Sequence, residues 1–430
     1  MKANGSRTPA LAFIFVTLLI DVLGFGLVIP VFPDLLKELS PVRGSAAAQA
    51  AHSATILGYM STIFGLMQFL FAPILGGLSD RYGRRPVLLF SLAAAALDYV
   101  LCAIAPNVTL LFVGRLIAGI TAASFTCASA YIADVSPPEK RAQNFGMIGA
   151  AFGVGFILGP ALGGLVGGLS PRAPFWVAAG LCGLNFLFGM FVLPESLAKE
   201  NRRVFDLRRA NPFGTFNVLF KVRWVLLLVI ALVFLYLAQQ ALQTTWTISG
   251  EYRFGWKPRD MGLSLALIGA MSILVQMVIL RWMLPRLGEA KTLLVGLVFQ
   301  VVGFLGFGLA THSWIMFAMT AIWCLSFVGG PATQGLISKR FGDDEQGLVQ
   351  GGLTSLQSVT GIVGPLISTG TFAYFTTPGH PHVPGAPFLL GAAMGVVTGV
   401  LAFWAMSMRR RDPMRQFEAS VATEPVLQPH

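Results

Sequence analysis

Three ionisable residues stand inside long apolar runs: Asp21 in TLLIDVLGFG, Asp98 in AAALDYVLC and Arg115 in FVGRLIAG. A charged side chain at the centre of a bilayer costs about 3 kcal/mol on insertion scales, so such residues face a wet cavity or one another. Two carboxylates and one guanidinium therefore mark a polar pathway on which protons can be held and released. The turn at Pro106-Asn107 lies midway between Asp98 and Arg115. At 1.5 Å rise per residue both side chains then lie roughly 13 Å below it, at matched depth and able to pair. The proton affinity of a carboxylate depends on its distance from a cation, so motion at such a pair would change its protonation. Asp21 is followed by Gly24, Gly26 and Pro30, a composition that loosens helical hydrogen bonding and admits a ligand or water.

The elements that carry these residues are set by composition. The chain of 430 residues is 55% hydrophobic and 11% charged, with mean hydropathy +0.72, whereas soluble domains are about 25% charged. Apolar windows at 9–31, 54–76, 87–105, 108–131, 144–168, 174–193, 224–247, 261–284, 292–310, 314–337, 347–373 and 387–408 each approach the ~20 residues that cross a bilayer as helix. They predict an all-α membrane protein with twelve transmembrane helices. The run after Lys2 and Arg7 continues past Asp21 without a small-residue cleavage pattern, which predicts a retained first helix rather than a signal peptide.

The formal charge of +11 is explained by topology. With the N-terminus inside, only Lys37, Arg43, Arg172, Arg253, Lys257 and Arg259 fall outside and Arg115 in the membrane; the other 23 of 30 basic residues are cytoplasmic. This asymmetry places both termini in the cytoplasm and removes any need for a nucleic-acid partner. Cys102, Cys127, Cys182 and Cys324 lie in apolar spans, where free Cys behaves as a small hydrophobe. His380 and His382 sit in a Pro- and Gly-rich outer loop, so no metal site is expected. No Gly-rich, Lys-ended phosphate loop is present. An ion gradient is thus the expected energy source, with no cofactor and no enzymatic chemistry.

The longest basic polar stretch, 194–223, divides the chain into six helices and six. The expected organisation is an N-terminal bundle at 1–193, a cytoplasmic linker at 194–223, a C-terminal bundle at 224–408 and a mobile tail at 409–430. At an offset of 205, Gly146, Gly159 and Pro160 map onto Gly351, Gly364 and Pro365. Duplicated six-helix units place a binding site at their interface near the midplane.

Gly77-Leu78-Ser79-Asp80-Arg81-Tyr82-Gly83-Arg84-Arg85-Pro86 joins the second and third helices. It resembles the loop signature of the major facilitator superfamily, which implies the two-bundle fold of that family and a cytoplasmic gate. Gating would fall to Gly77, Asp80, Arg81, Gly83, Arg84 and Arg85, with Asp80 facing the positive N-terminal end of the eleventh helix. The corresponding loop of the second half, Pro285-Arg286-Leu287-Gly288, is a degenerate copy without Asp. In the fifth helix, Gly155, Gly159, Pro160, Gly163 and Gly164 set small residues at spacing four, which lets backbones approach. Their pattern is similar to the one carried by the superfamily's proton-coupled exporters.

Asp21 in LIDVLGFGLVIP, Gln68 in LMQFLFAP, Asp98 in AALDY and Gly114-Arg115 in VGRLIAGIT resemble the tetracycline-resistance efflux proteins, as do LPES at 193–196 and DEQG at 344–347. The resemblance implies proton coupling through Asp21, Asp98 and Arg115; Gln68, Gln276, Gln300 and Ser272, neutral polar groups at helical positions, are the expected substrate contacts. It implies a multi-pass protein of the bacterial inner membrane, acting as a monomer on a small molecule and protons. Two departures stand out: the family's eighth-helix His is Ser272 here, and its ninth-helix Asp is Gln300. A neutral amide cannot release a proton, so coupling would run through the first half. Gln239, Gln240 and Gln243 add further neutral polar groups, and a largely apolar site with few polar anchors suits an amphiphilic molecule. The expected function is proton-coupled antiport of an amphiphilic drug-like compound, with tetracycline among the candidate substrates. The alternatives are an importer or symporter of a small nutrient and, more remotely, a non-transporting receptor.

Overall fold

The computed structural model describes residues 7–122, 124–202, 222–338 and 346–410. Its described elements are helical, as backbone in hydrocarbon requires when every polar group must be satisfied within its own segment. In the first half these are α1 (Arg7–Val28), α2 (Phe32–Leu39), α3 (Ala46–Tyr82), α4 (Arg84–Ile104), α5 (Val108–Thr121), α6 (Ser124–Val135), α7 (Pro138–Gly167) and α8 (Ala173–Val192). The second half holds α9 (Arg223–Phe254), α10 (Pro258–Leu274), α11 (Leu280–Leu309), α12 (Ser313–Cys324), α13 (Gly329–Ser338), α14 (Gln346–Thr376) and α15 (Ala386–Arg410).

Several of the expected spans are not single straight helices. Pro30 and Pro33 interrupt the first, so a 3₁₀ turn at Ile29–Val31 leads into the short α2, with Leu35 and Leu36 fully buried. The fourth is broken at Ala122 (ψ 56°) into α5 and α6, and the tenth passes through a 3₁₀ turn at Leu325–Val328 between α12 and α13. A π-helical turn at Val275–Ile279 follows α10 and contains Gln276. Among the described residues ten stretches are long and apolar enough to cross a membrane. One of them, Pro258–Leu309, runs 52 residues and reverses at Gly288, whose φ of 70° marks the turn. The Thr-, Ser- and Gln-bearing α14 is 31 residues long and is not among the ten.

Each half packs around its own apolar clusters. Phe13, Leu18, Leu88, Tyr131 and Ile132 anchor one cluster of the first half, and Trp246, Phe304, Phe307, Trp323 and Phe388 anchor one of the second. The halves meet along two long seams, α7 against α10 and α3 against α14, while α7 also lies on α1 and α14 on α9. The four cysteines are free and buried. Most of the 194–223 stretch and all but the first residues of the tail lie outside the described residues.

Candidate functional site

A cavity of about 2240 Å³ runs between the two halves. Along α3 it is lined from Leu57 to Asp80, a depth of roughly 35 Å at helical rise. At one end Gly76, Gly77 and Asp80 line its mouth, beside the α3–α4 turn. At the other end the halves are drawn together. Lys37 of α2 is ion-paired with Glu251 of α9, and Thr62 donates to the Ile362 carbonyl at 2.9 Å. Ala50, Ala54, Ile248 and Phe372 pack there in a small apolar cluster. Among the described residues the cavity is therefore open at the α3–α4 end and shut at the α2 end.

Asp21, Asp98 and Arg115 all line this cavity. The pairing anticipated from matched depth is present: Arg115 Nη2 donates to Asp98 Oδ2 at 2.5 Å. Asp98 is only 3% exposed. Cys102 completes the group, its Sγ 3.7 Å from Asp98 Oδ1 and 3.6 Å from Arg115 Nη2. Gly114 makes this possible, because a β-carbon there would fall 2.6 Å from Asp98 Oδ1. The Gly114-Arg115 dipeptide thus supplies both the space for the carboxylate and its counter-charge. A buried pair of this kind holds its charges only while both partners stay together. Asp21, on the adjacent α1, adds a second carboxylate to the same wall.

Gln68, Ser272 and Gln276 also line the cavity. Gln276 Nε2 donates to Ser272 Oγ at 2.9 Å, from the π-helical turn, a local expansion of the helix that is frequent at functional sites. Gln300 departs from its expected place. It does not line the main cavity; it is 3% exposed and faces a satellite pocket of about 120 Å³ that shares Gln239, Phe327 and Gln334 with it. Gly296, packed on the Gly329 backbone, brings α11 against α13 and holds Gln300 one layer behind the cavity wall.

The α3–α4 turn is held by a network internal to the first half. Arg84 pairs with Asp80 at 2.5 Å and with Asp134 at 3.2 Å, and donates to Ser79 Oγ at 2.6 Å. Arg85 donates to the Met190 carbonyl at 2.5 Å. Gly83 has φ of 110°, a conformation that favours glycine. Its lack of a β-carbon lets Glu195 reach the start of α4, where the carboxylate accepts from the Arg84 amide at 2.9 Å and the Arg85 amide at 3.3 Å. An acidic group at a helix N-terminus is favoured by the backbone dipole. Glu195 and Asp134 were not singled out as functional from sequence; LPES at 193–196 was the available signal for the first. Arg81 stacks its guanidinium over Tyr82. The expected partner of Asp80 is the start of the eleventh helix, α14, which begins at Gln346 directly after residues 339–345; those seven lie outside the described residues.

The small residues of α7 serve two seams. β-carbons at Gly155, Gly159 and Gly163 would strike Val22, the Gly26 Cα and the Leu27 carbonyl of α1, at 2.7, 2.9 and 2.2 Å. Gly164 faces α10 instead, 2.5 Å by the same measure from the Pro258 carbonyl, and the Pro160 carbonyl abuts Gly262. The pattern expected to let backbones approach thus joins α7 to its own half on one face and to the other half on the next.

A family model described as Major Facilitator Superfamily matches residues 14–365. The chain is 39% identical over 400 residues to the class C tetracycline resistance protein of Escherichia coli, covering 92% of this chain and 96% of that one. It is 40% identical over 354 residues to the class G tetracycline resistance protein of Vibrio anguillarum, covering 82% and 88%. Its fold matches the crystal structure of the human organic anion transporter MFSD10 with a TM-score of 0.68 at 24% identity, covering 92% of this chain and 99% of that one.

Proposed function

The chain belongs to the major facilitator superfamily, and from that premise we propose that it is a proton-coupled antiporter exporting an amphiphilic drug-like molecule, tetracycline being the first candidate. The observation that carries this reading is the cavity between the halves, with Asp21 and the Asp98–Arg115 pair on one wall. The protein transports rather than catalyses, and the proton gradient replaces any cofactor. Each chain encloses its own cavity, so the proposed working unit is the monomer.

The excess of Lys and Arg in the loops on that side supports a cytoplasmic position for the α3–α4 end and for both termini, in the proposed bacterial inner membrane. The structure then represents the inward-open state. Counting Pro258–Leu309 as two crossings and adding α14 gives twelve helices, in bundles at 1–193 and 224–408 joined by a linker at 194–223, with a tail at 409–430. Substrate enters from the cytoplasm and binds between the walls. Rocking of the halves breaks the Lys37–Glu251 contact, opens the outer side and closes the α3–α4 loop against the second half, a gate formed by Gly77, Asp80, Arg81, Gly83, Arg84 and Arg85. Protons taken up from outside by Asp98, Asp21 or both return the carrier inward, where they are released. Gln68, Ser272 and Gln276 contact the cargo. An importer is disfavoured by the likeness of the α7 small-residue pattern to that of the superfamily's proton-coupled exporters and by relatives that are named tetracycline resistance proteins.

The test is uptake into everted membrane vesicles from a pump-deficient bacterium expressing the gene. Energised vesicles should accumulate tetracycline, and nigericin, which collapses the pH gradient, should release it. Accumulation that survives nigericin contradicts proton coupling, and absence of accumulation across varied antibiotics contradicts export.

A further inference from the structure

The two walls of the cavity differ in kind. The first-half wall carries Asp21, Asp98 and Arg115, with Asp80 at the mouth; the second-half wall, among the described residues, carries no ionisable side chain. It presents primary amides instead: Gln239, Gln240 and Gln243 from α9, Gln276, Gln334 and Gln357. One of these is held by a specific device. A β-carbon at Gly364 of α14 would fall 2.4 Å from Cγ and 2.7 Å from Cβ of Gln240, and one at Gly361 would lie 3.9 Å from its Nε2. Without side chains at 361 and 364, α14 offers a shallow seat into which the stem of Gln240 fits.

The duplication sharpens the meaning of that seat. Gly364 corresponds by sequence to Gly159 of the first half, and both lie on the equivalent helix of their bundle. Gly159 receives backbone, since its absent β-carbon would stand 2.9 Å from the Gly26 Cα of α1. Gly364 receives a glutamine side chain from the equivalent helix α9. The same glycine that packs two helices in one half thus positions a polar group in the other. The seat also lies at the joint between the halves, because Gly65 of α3 faces the Gly361 carbonyl at 3.2 Å by the same measure.

Resting on the export reading above, we propose that Gln240 is a substrate-selecting residue that hydrogen-bonds a neutral, oxygen-bearing edge of the cargo, and that Gly364 is its positioning residue. A primary amide offers two donors and an acceptor without charge. It pairs with carbonyl and hydroxyl oxygens, while the carboxylates of the opposite wall address any basic group. A site built to hydrogen-bond its ligand discriminates strongly against analogues that leave its polar groups unpaired. The cargo class is therefore a polar-edged amphiphile rather than a purely hydrophobic cation.

Initial rates of tetracycline and chloramphenicol uptake into everted vesicles test this, with variant amounts matched by immunoblot. Gln240→Leu should raise the half-saturating concentration of the transported compound about five- to tenfold, with maximal rate changed less than about twofold. Gly364→Ala should reproduce that shift, and adding Gln240→Ala to it should raise the concentration no further, since both changes remove one contact. An unshifted half-saturation in Gln240→Leu, or an effect confined to maximal rate, overturns the proposal. Because Gly364→Ala can fail to insert, the Gln240 variants alone decide that outcome. Wild-type vesicles that take up neither these two compounds nor any of the varied antibiotics overturn the export reading and this inference with it.

Discussion

Asp98 and Arg115 form a charge pair that needs room as much as it needs attraction. Removing one partner of a buried pair strands the other at a cost of about 3–5 kcal/mol, so the pair tolerates movement only where another charge or a proton compensates. Gly114 supplies the room. Gly114→Ala changes no charge, yet its methyl would sit 2.6 Å from Asp98 Oδ1 and displace the carboxylate from the guanidinium. It should lower uphill tetracycline accumulation in vesicles at least tenfold at unchanged expression, and normal accumulation would show that the pair's geometry does not matter. The pairing was legible from helical rise alone. The clearance at Gly114 was not, because spacing along the chain says nothing of which side chain leans over a neighbouring helix. Lys37 and Glu251, 214 positions apart, were equally silent for that reason. Gln300, expected as a substrate contact, stands behind the cavity wall, because spacing along a helix does not say which of its inward-looking faces meets the cavity.

Among the helices, α7 forms the seam that joins α1 of its own half to α10 of the other. Its glycines at spacing four admit α1 on one face, and Pro160 with Gly164 meets α10 on another. In hydrocarbon such association rests on close packing rather than on a hydrophobic drive. Gly159→Val would insert three carbons where one already falls 2.9 Å from the Gly26 Cα. Overpacking of this kind costs about 1–3 kcal/mol, and the expected result is a lowered thermal unfolding temperature of the purified protein in detergent; an unchanged temperature contradicts tight packing at this seam. The small-residue pattern announced a packing helix in the sequence, and the structure adds its two partners. The breaks at Ala122 and at Leu325–Val328 were hidden because the apolar runs continue through them, and hydropathy does not register a change in backbone hydrogen bonding. The reversal at Gly288 was visible as the degenerate loop Pro285–Gly288, since a Pro-Arg-Leu-Gly run between apolar windows cannot stay in hydrocarbon.

For the whole molecule, the division of labour between halves is the main result. The carboxylates and the guanidinium of the cavity belong to the first half and its amides mostly to the second, so under the proposed function proton exchange and cargo recognition would face each other across a gap that opens and closes. The Lys37–Glu251 contact and the α3–α14 seam hold one side shut while the α3–α4 end stays open. Alternating access then requires protonation on one wall to bias the separation of both. The most direct measurement compares two activities of Asp98→Asn in proteoliposomes. Uphill tetracycline accumulation driven by an imposed pH gradient should be lost, while tetracycline exchange across the membrane, which needs no net proton movement, should persist. Accumulation at the wild-type ratio in that variant would contradict proton coupling through Asp98.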